Sequence, residues 1–202
     1  EIIVSKSSNV KSIKQAVQLA NENDRIIIKS GEYAEGNILV DKSILVQGEG
    51  EPIIDGKGEG EIFIVTANNV HISGVIIKNS GISYLKENAG IRFENVWGCS
   101  ITNNKFIDNF FAVYLAKSSK CRITNNYIDG AKKRETNSGN GIHLWYCRDI
   151  VISDNTIMNH RDGIYFEFVR NGKITKNISR GNLRYGLHFM FSNNDAYISN
   201  VF

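Results

Sequence analysis

The sequence predicts an all-β solenoid, namely a right-handed parallel β-helix with an N-terminal capping α-helix. Three observations lead to this prediction. Short apolar–polar segments recur at regular spacing, asparagine recurs at fixed places within them, and one amphipathic segment near the N-terminus departs from the pattern. Repeats of about 22 residues with two or three half-buried strands are typical of single turns, or coils, of a parallel β-helix. The right hand rests on the usual chirality of such crossovers and on strand twist.

The repeat is clearest in a set of short segments that each begin with isoleucine. Four of them continue with Thr or Ser and reach Asn at the fourth position, and they begin at Ile101, Ile123, Ile152 and Ile174. Weaker forms begin at Ile72 and Ile198, so the successive spacings are 29, 22, 29, 22 and 24 residues. We expect these four isoleucines to form one inward column and Asn104, Asn126, Asn155 and Asn177 to form a ladder of side-chain amides. An antiparallel β-sandwich is the alternative, but it does not keep equivalent residues in register over five repeats.

A second run precedes the first by about eleven residues and begins at Gly90, Ala112, Gly141, Gly163 and Gly186. Its residues should alternate inward and outward, because successive strand side chains point to opposite faces. Two outward columns are therefore predicted. One contains Phe63, Arg92, Tyr114, His143, Tyr165 and His188, and the other contains Val65, Glu94, Ala116, Trp145, Glu167 and Met190.

The two 29-residue spacings correspond to a 22-residue coil with seven extra residues. The insertions lie around residues 83–89 and 131–140, at the same corner of the repeat. We expect them to project from one edge of the solenoid, either as a binding face or as tolerated surface loops.

The N-terminal part predicts a capping helix over about residues 12–22. Ser12 and Gln15 fit a capping box, and Ile13, Ala16, Val17 and Ala20 share one helical face. Strands are predicted at residues 25–29, 37–40, 43–47 and 52–55, and repeat coils over about residues 61–202. The whole chain, residues 1–202, is predicted to be one domain.

The C-terminal segment contains no capping element, which predicts either a longer native protein or coverage of this end by another chain. Unpaired strand edges tend to pair with other strands. We therefore expect the chain to self-associate through this end.

Composition excludes several classes of protein. The chain has 24 Lys and Arg against 21 Asp and Glu, a net charge of +3, which is too weak a basic field to predict nucleic-acid binding. Apolar runs stay well below the ~18 residues of a transmembrane helix. The three cysteines, Cys99, Cys121 and Cys147, are odd in number and form no CxxC motif, which favours buried thiols over a disulfide framework or structural zinc.

Three segments in the C-terminal third are more specific, and they are listed here with their sequences: 141–145 (GIHLW), 160–168 (HRDGIYFEF) and 184–192 (RYGLHFMFS). Over about residues 139–194 the chain resembles the NosD family, the periplasmic maturation proteins of nitrous oxide reductase. The resemblance implies a periplasmic, non-enzymatic role in copper supply. It also implies the partners of that role, which are an ABC transporter formed by the NosF ATPase and the NosY membrane subunit, the copper chaperone NosL, and the reductase itself.

The outward columns contain a candidate copper site at their C-terminal end. His188 and Met190 are two positions apart on one strand, about 6.6 Å, and Glu167 is one coil from Met190. Imidazole and thioether donors suit Cu(I), and an incomplete shell suits an ion that must be handed on. His143, two coils from His188, is a further candidate ligand, and Trp145 is expected to shield the site. The alternative is that these outward residues only pack against neighbouring aromatic rings.

Arg161 and Arg184 each precede a repeat glycine by two residues. Stacked guanidinium groups need anions beside them, and Asp162 and Glu167 are nearby. We expect a corner salt-bridge network or a docking patch for a carboxylate of a partner.

The broader β-helix repeats resemble those that carbohydrate-binding proteins and sugar hydrolases share. A carbohydrate-binding or polysaccharide-degrading protein is therefore the rival function, and an adhesin-like structural solenoid is a third. The outward acids Glu94 and Glu167 are three coils apart, about 14 Å, which is too far for paired acid–base catalysis. The aspartate pair of polygalacturonases is missing as well, so the sequence predicts that the chain is not an enzyme.

Overall fold

The computed structural model describes residues 1–83, 86–131 and 134–202, and within them the chain forms a parallel β-helix. Sheet A has nine strands and sheets B and C have seven each, and every strand pairs in parallel with its equivalent in the next coil. Sheet A comprises Ile2–Val4, Arg25–Lys29, Leu45–Glu49, His71–Ser73, Ser100–Thr102, Arg122–Thr124, Val151–Ser153, Lys173–Thr175 and Ala196–Ile198. Sheet B comprises Glu32–Tyr33, Ile53–Asp55, Ile76–Lys78, Lys105–Ile107, Tyr127–Asp129, Thr156–Met158 and Ile178–Arg180. Sheet C comprises Ile38–Val40, Phe63–Val65, Ala89–Glu94, Phe111–Ala116, Ile142–Trp145, Asp162–Glu167 and Tyr185–Met190.

The predicted isoleucine column forms the centre of sheet A. Its members pair directly from coil to coil and are fully buried, and they are Ile72, Ile101, Ile123, Ile152 and Ile174. The alignment of the weaker repeat form at Ile198 with the leading isoleucines is wrong by one residue. Tyr197 pairs with Ile174, whereas Ile198 pairs with Thr175 and is 53% exposed. The repeat pattern could not distinguish Tyr197 from Ile198 as the inward residue, because both have large apolar side chains.

The asparagine ladder is confirmed and extends to Asn200. From Asn126 onward, each ladder amide accepts from the backbone N–H and the side-chain amide of the Asn one coil before it, as Asn126 Oδ1 does from Asn104 N and Nδ2 at 3.0 and 3.3 Å. The residue before each ladder asparagine has a positive φ between 56° and 58°, at Asn103, Asn125, Asp154, Lys176 and Ser199. Asn and Asp tolerate this left-handed backbone better than most residues, which explains much of the Asn content.

The N-terminal helix spans Ile13–Leu19 and is shorter than the predicted 12–22. Ser12 caps it as predicted, accepting from the N–H of Gln15. The carboxylate of Glu35 adds further caps by accepting from the N–H groups of Ile13 and Lys14 at 2.8 and 3.0 Å. At the other end, Ala20 leaves the helical conformation with ψ 143°.

The helix covers one end of the core, because Ile13, Ala16 and Val17 are buried in the same apolar cluster as the solenoid interior. The other predicted N-terminal strands lie within two residues of the observed ones. The free thiols of Cys99, Cys121 and Cys147 are buried, as expected. No helix among the described residues is long and apolar enough to cross a membrane.

Candidate functional site

The predicted outward columns lie on sheet C, and the strand register confirms them from Arg92 and Glu94 onward. Arg92, Tyr114, His143, Tyr165 and His188 pair in succession, as do Glu94, Ala116, Trp145, Glu167 and Met190. The placement of Phe63 and Val65 in these columns is wrong. They pair with Ile91 and Phe93 and are fully buried, so Ile64 is the outward residue of that strand. The run Phe63–Val65 is apolar throughout and gave no alternation by which to choose the face.

Tyr165 connects the two principal candidate copper ligands. The Tyr165 hydroxyl donates to Met190 Sδ at 3.0 Å. Its ring meets the His188 ring edge-on, with centroids 4.8 Å apart. His188 Nδ1 lies 3.5 Å from Asp162 Oδ2. The sequence placed Tyr165 in the same column but gave it no role at the site.

Glu167 and Trp145 continue the second column away from Met190. Glu167 pairs with Met190 on the neighbouring strand and is partly exposed. Trp145 lies one coil further, where its ring meets Tyr146 edge-on at 4.8 Å and Lys117 Nζ lies 5.4 Å from its centroid. Trp145 pairs with Glu167 in the register, so it lies next to Glu167 and two coils from Met190.

His143 is placed differently from the expectation. It is 8% exposed, and its Nδ1 lies 3.1 Å from Asn140 Nδ2. Burial lowers the pKa of His143 to about 3, with Arg161 contributing in the same direction. The ring of Tyr165 lies between it and His188, at 4.7 Å from His143 and 4.8 Å from His188. The structure therefore separates His143 from the His188–Met190 pair and places it in an aromatic cluster.

Arg161 and Arg184 form the corner ion-pair network that was one of the two expected arrangements. Glu135 Oε1 lies 3.8 Å from Arg161 Nε and 3.6 Å from an Nη of Arg184. Arg184 Nε also lies 3.7 Å from Asp162 Oδ1, and Asp162 is almost fully buried. The sequence proposed Glu167 as the second anion, but Glu135 of the second insertion has this role. Only the folding back of the insertion brings Glu135 to this corner.

A cavity of about 660 Å³ lies between the two insertions. Both insertions contribute residues to its wall, which agrees with the expectation that they project from the same edge of the solenoid. The predicted insertion residues 84–85 and 132–133 lie outside the described part of the chain. The wall includes Glu61, Glu87, Arg92, Phe111, Glu135 and Arg161. Burial raises the pKa of Glu61 although Arg92, 3.3 Å away, opposes the shift.

The donor chemistry limits which metal the sheet C face suits. Within residues 1–83, 86–131 and 134–202, there is no group of three or more His, Cys, Asp and Glu placed to hold an ion. The His188 imidazole and the Met190 thioether lie on one strand, with the Glu167 carboxylate on the adjacent strand and Asp162 Oδ2 3.5 Å from His188 Nδ1. Such a set suits soft Cu(I) better than a hard cation.

Comparison with protein families gives one match, described as "Right handed beta helix region", over residues 89–201. Among curated proteins, "Probable ABC transporter binding protein NosD" of Pseudomonas aeruginosa is 28% identical over 146 residues, covering 71% of this chain and 34% of that protein. A "Cell surface glycoprotein" of Methanothermus fervidus is 33% identical over 210 residues, covering 96% of this chain and 34% of that protein. The chain thus spans about a third of the length of these curated relatives.

Solved structures with the same fold include carbohydrate-active proteins. The catalytic domain of a GH87 α-1,3-glucanase in complex with nigerose matches with a TM-score of 0.67 and 16% identity, covering 96% of this chain and 40% of that one. A putative glycosyl hydrolase from Parabacteroides merdae matches with a TM-score of 0.61 and 14% identity, covering 98% of this chain and 90% of that one. At these identities the likeness extends to the fold alone.

Proposed function

The chain belongs to the right-handed β-helix family, as the sequence predicted, and on that basis we propose that it is the solenoid part of an accessory protein of nitrous oxide reductase maturation. In this proposal it acts in the periplasm with an ABC transporter of the NosF and NosY type, a NosL-like copper chaperone and the reductase. Support comes from two relatives named as ABC transporter binding proteins NosD, 28% and 27% identical over 71% and 67% of this chain.

Copper is the proposed cargo, and His188 and Met190 are its proposed donors. The observation that supports this most directly is their common strand, on which both side chains project from the same face of sheet C. The Tyr165 hydroxyl occupies one lone pair of the Met190 sulfur and leaves the second available to a metal. Cu(I) accepts low coordination numbers with soft donors, so this pair can hold the ion while a partner supplies the remaining ligand.

Glu167 is proposed as the residue that receives or releases the ion at the edge of the site. It is next to Met190 in the register, and it forms no salt bridge within the described residues. A carboxylate binds Cu(I) weakly compared with a thioether, so its contribution would be transient. Such a shell favours transfer over storage.

We propose that this part of the protein is not an enzyme. Within the two outward columns of sheet C, three register steps separate Glu94 from Glu167, about 14 Å, whereas glycosidases hold their carboxyl pair at roughly 5–10 Å. Incubation with pectin and alginate tests the proposal directly, and release of oligosaccharide products would contradict it.

Anaerobic titration with Cu(I) against a chromophoric competitor tests the copper site. The double variant H188A/M190A should bind Cu(I) at least tenfold more weakly than the wild type, a loss of about 1.4 kcal/mol or more. The matched control is H71A/M158A, which also removes one imidazole and one thioether but from sheets A and B. Equal affinity in H188A/M190A and the wild type would place copper elsewhere and contradict the assignment.

The second candidate function is carbohydrate binding in the cavity between the insertions. Its volume and its mixture of carboxylates, guanidinium groups and one aromatic wall favour it over other surfaces for this role. A glycan array probed with the wild type and with E61Q tests it. Glycan binding that E61Q abolishes, together with wild-type Cu(I) affinity in H188A/M190A, would favour this function over copper handling.

A further inference from the structure

A groove of about 420 Å³ follows the solenoid axis at the corner immediately after sheet C. It adjoins the His188–Met190 face of sheet C, because its aromatic residues directly follow Trp145, Glu167 and Met190 at the ends of the strands. Its main lining side chains are Trp97, Lys117, Tyr146, Arg148, Phe168 and Arg170.

One wall of the groove is a stack of aromatic rings from successive coils. The rings of Tyr146 and Phe168 have centroids 4.5 Å apart and planes inclined by 21°. Those of Phe168 and Phe191 are 5.0 Å apart and inclined by 11°. The ring of Phe168 is therefore covered on both faces, whereas Tyr146 and Phe191 at the ends of the stack remain 52% and 68% exposed.

The backbone of this stack is in an unfavourable conformation for its residues. Tyr146, Phe168 and Phe191 have φ of 51°, 55° and 51°, in the left-handed region. The equivalent position two coils earlier than Tyr146 is Asn95, a residue type that this conformation favours. Bulky aromatic residues are uncommon in this conformation, and strain of this kind is concentrated at functional sites.

The opposite wall is basic. Arg148 and Arg170 occupy the same place in successive coils and pair as a β-bridge. Lys117 adds a further positive charge to the groove from the column of the aromatic stack, one coil before Tyr146. Within the described part of the chain no acidic side chain lines the groove, and neither arginine forms a salt bridge. The groove therefore combines an apolar wall with unneutralised positive charge.

We propose that this groove binds an acidic peptide segment of a protein partner that also bears apolar side chains. Tyr, Trp, Phe and Arg are the residues that dominate the binding energy of protein interfaces. Ring edges have partial positive charge, so they favour carboxylates together with the arginines. Stacking of bases or sugars needs open ring faces, and the central ring of the stack, Phe168, is covered on both faces by Tyr146 and Phe191. The concave shape also fits an extended chain better than a flat membrane surface. This proposal does not depend on copper binding.

Fluorescence anisotropy with a labelled random copolymer of glutamate and tyrosine tests the proposal. The double variant R148Q/R170Q should bind the copolymer at least tenfold more weakly than the wild type. The control R122Q/R180Q removes the same charge from exposed positions on sheets A and B and should bind within twofold of the wild type. If both double variants lose affinity for the copolymer equally, binding depends on the net charge of the protein and not on the groove, and the proposal is overturned.

A triple variant separates binding from folding. Y146N/F168N/F191N replaces the rings by a residue that suits the left-handed backbone, so its melting temperature should equal or exceed that of the wild type while copolymer binding falls at least tenfold. Unchanged binding, or a lower melting temperature, would assign the stack a purely structural role. Competition by alginate or single-stranded DNA at lower concentrations than the copolymer would identify another class of ligand and also overturn the proposal.

Discussion

Replacing Asn126 by Ala should destabilise the solenoid more than the same replacement at Asn200, at the C-terminal end of the ladder. Asn126 is 2% exposed and its side chain makes four hydrogen bonds. Truncation leaves the N–H of Asn104 without its partner, and it removes a donor from the carbonyl of Ile101, bonded at 3.0 Å. Asn104 Nδ2 keeps the carbonyl of Ile72, and Asn155 Oδ1 keeps the N–H of residue 126 at 2.9 Å.

The size of the effect follows from these unpaired groups. The Asn104 N–H left without a partner costs about 1–3 kcal/mol, and the lost hydrogen bond to the Ile101 carbonyl adds about 0.5–1.5 kcal/mol, so the free energy of unfolding should fall by about 1.5–4.5 kcal/mol. Asn200 makes the same type of bonds, to Asn177 N at 2.9 Å and from its own Nδ2 to the carbonyl of Ile174 at 2.9 Å, but it is only partly buried. Water can replace these bonds, so Asn200→Ala should cost less than about 1 kcal/mol.

Urea unfolding followed by circular dichroism and tryptophan fluorescence measures both variants against the wild type. The reasoning requires a clear difference between the two positions. If Asn126→Ala lowers the unfolding free energy by no more than Asn200→Ala does, the internal ladder does not stabilise the fold through satisfied buried amides.

Three further predictions concern pH, thiol reactivity and assembly. Burial lowers the pKa of His143 to about 3 and that of His160 to about 4, so between these values and about 6.5 the unfolded chain binds more protons than the folded chain. The free energy of unfolding should therefore fall as the pH drops from about 6.5 towards 4, by up to about 1.4 kcal/mol per pH unit for each histidine. Urea unfolding of His143→Phe at a series of acidic pH values should show a smaller slope than the wild type. Burial raises the pKa of the Cys147 thiol to about 12, so its reaction with a thiol reagent at pH 8 should follow the rate of unfolding, and fast labelling of the native protein would contradict this. Val201 and Phe202 are 57% and 53% exposed in the last coil, so sedimentation should show self-association that lysine substitutions at these two positions suppress, whereas a wild-type monomer at high concentration would refute it.

Local patterns predicted the fold well because the solenoid repeats the same local environment. Ile101 and Ile123 share a spacing and an inward position, so periodicity alone located sheet A. The errors occurred where the pattern had no polar marker, as at Phe63 and Tyr197. Capping of the helix by Glu35 was missed for a different reason, since the contact spans 22 residues and depends on the path of the chain between them.

The sequence predicted which residues of the candidate site share a face of the sheet, but it did not predict the contacts between their side chains. The sequence placed Tyr165, His188 and Met190 on one face, and the structure adds the hydroxyl–sulfur bond that joins the first to the last. His143 has the same outward register as His188, yet Phe111 and Tyr114 pack on its ring at 5.2 and 5.0 Å and bury it. Outward orientation in a strand does not determine exposure when neighbouring side chains and an insertion cover the face.

The uniform register of the asparagine ladder makes the coil a modular unit. Residues 105–126 form one such module of 22 residues, and its removal would join Asn104 to Tyr127, the register partner of Lys105. The ladder would then pass from Asn104 to Asn155 with its hydrogen-bond pattern intact. Each module removed or added would move the His188 face relative to the capping helix by about 4.8 Å. The length of the solenoid is therefore adjustable in fixed steps, and the distance between the capping helix and the His188 face can change without redesign of the core.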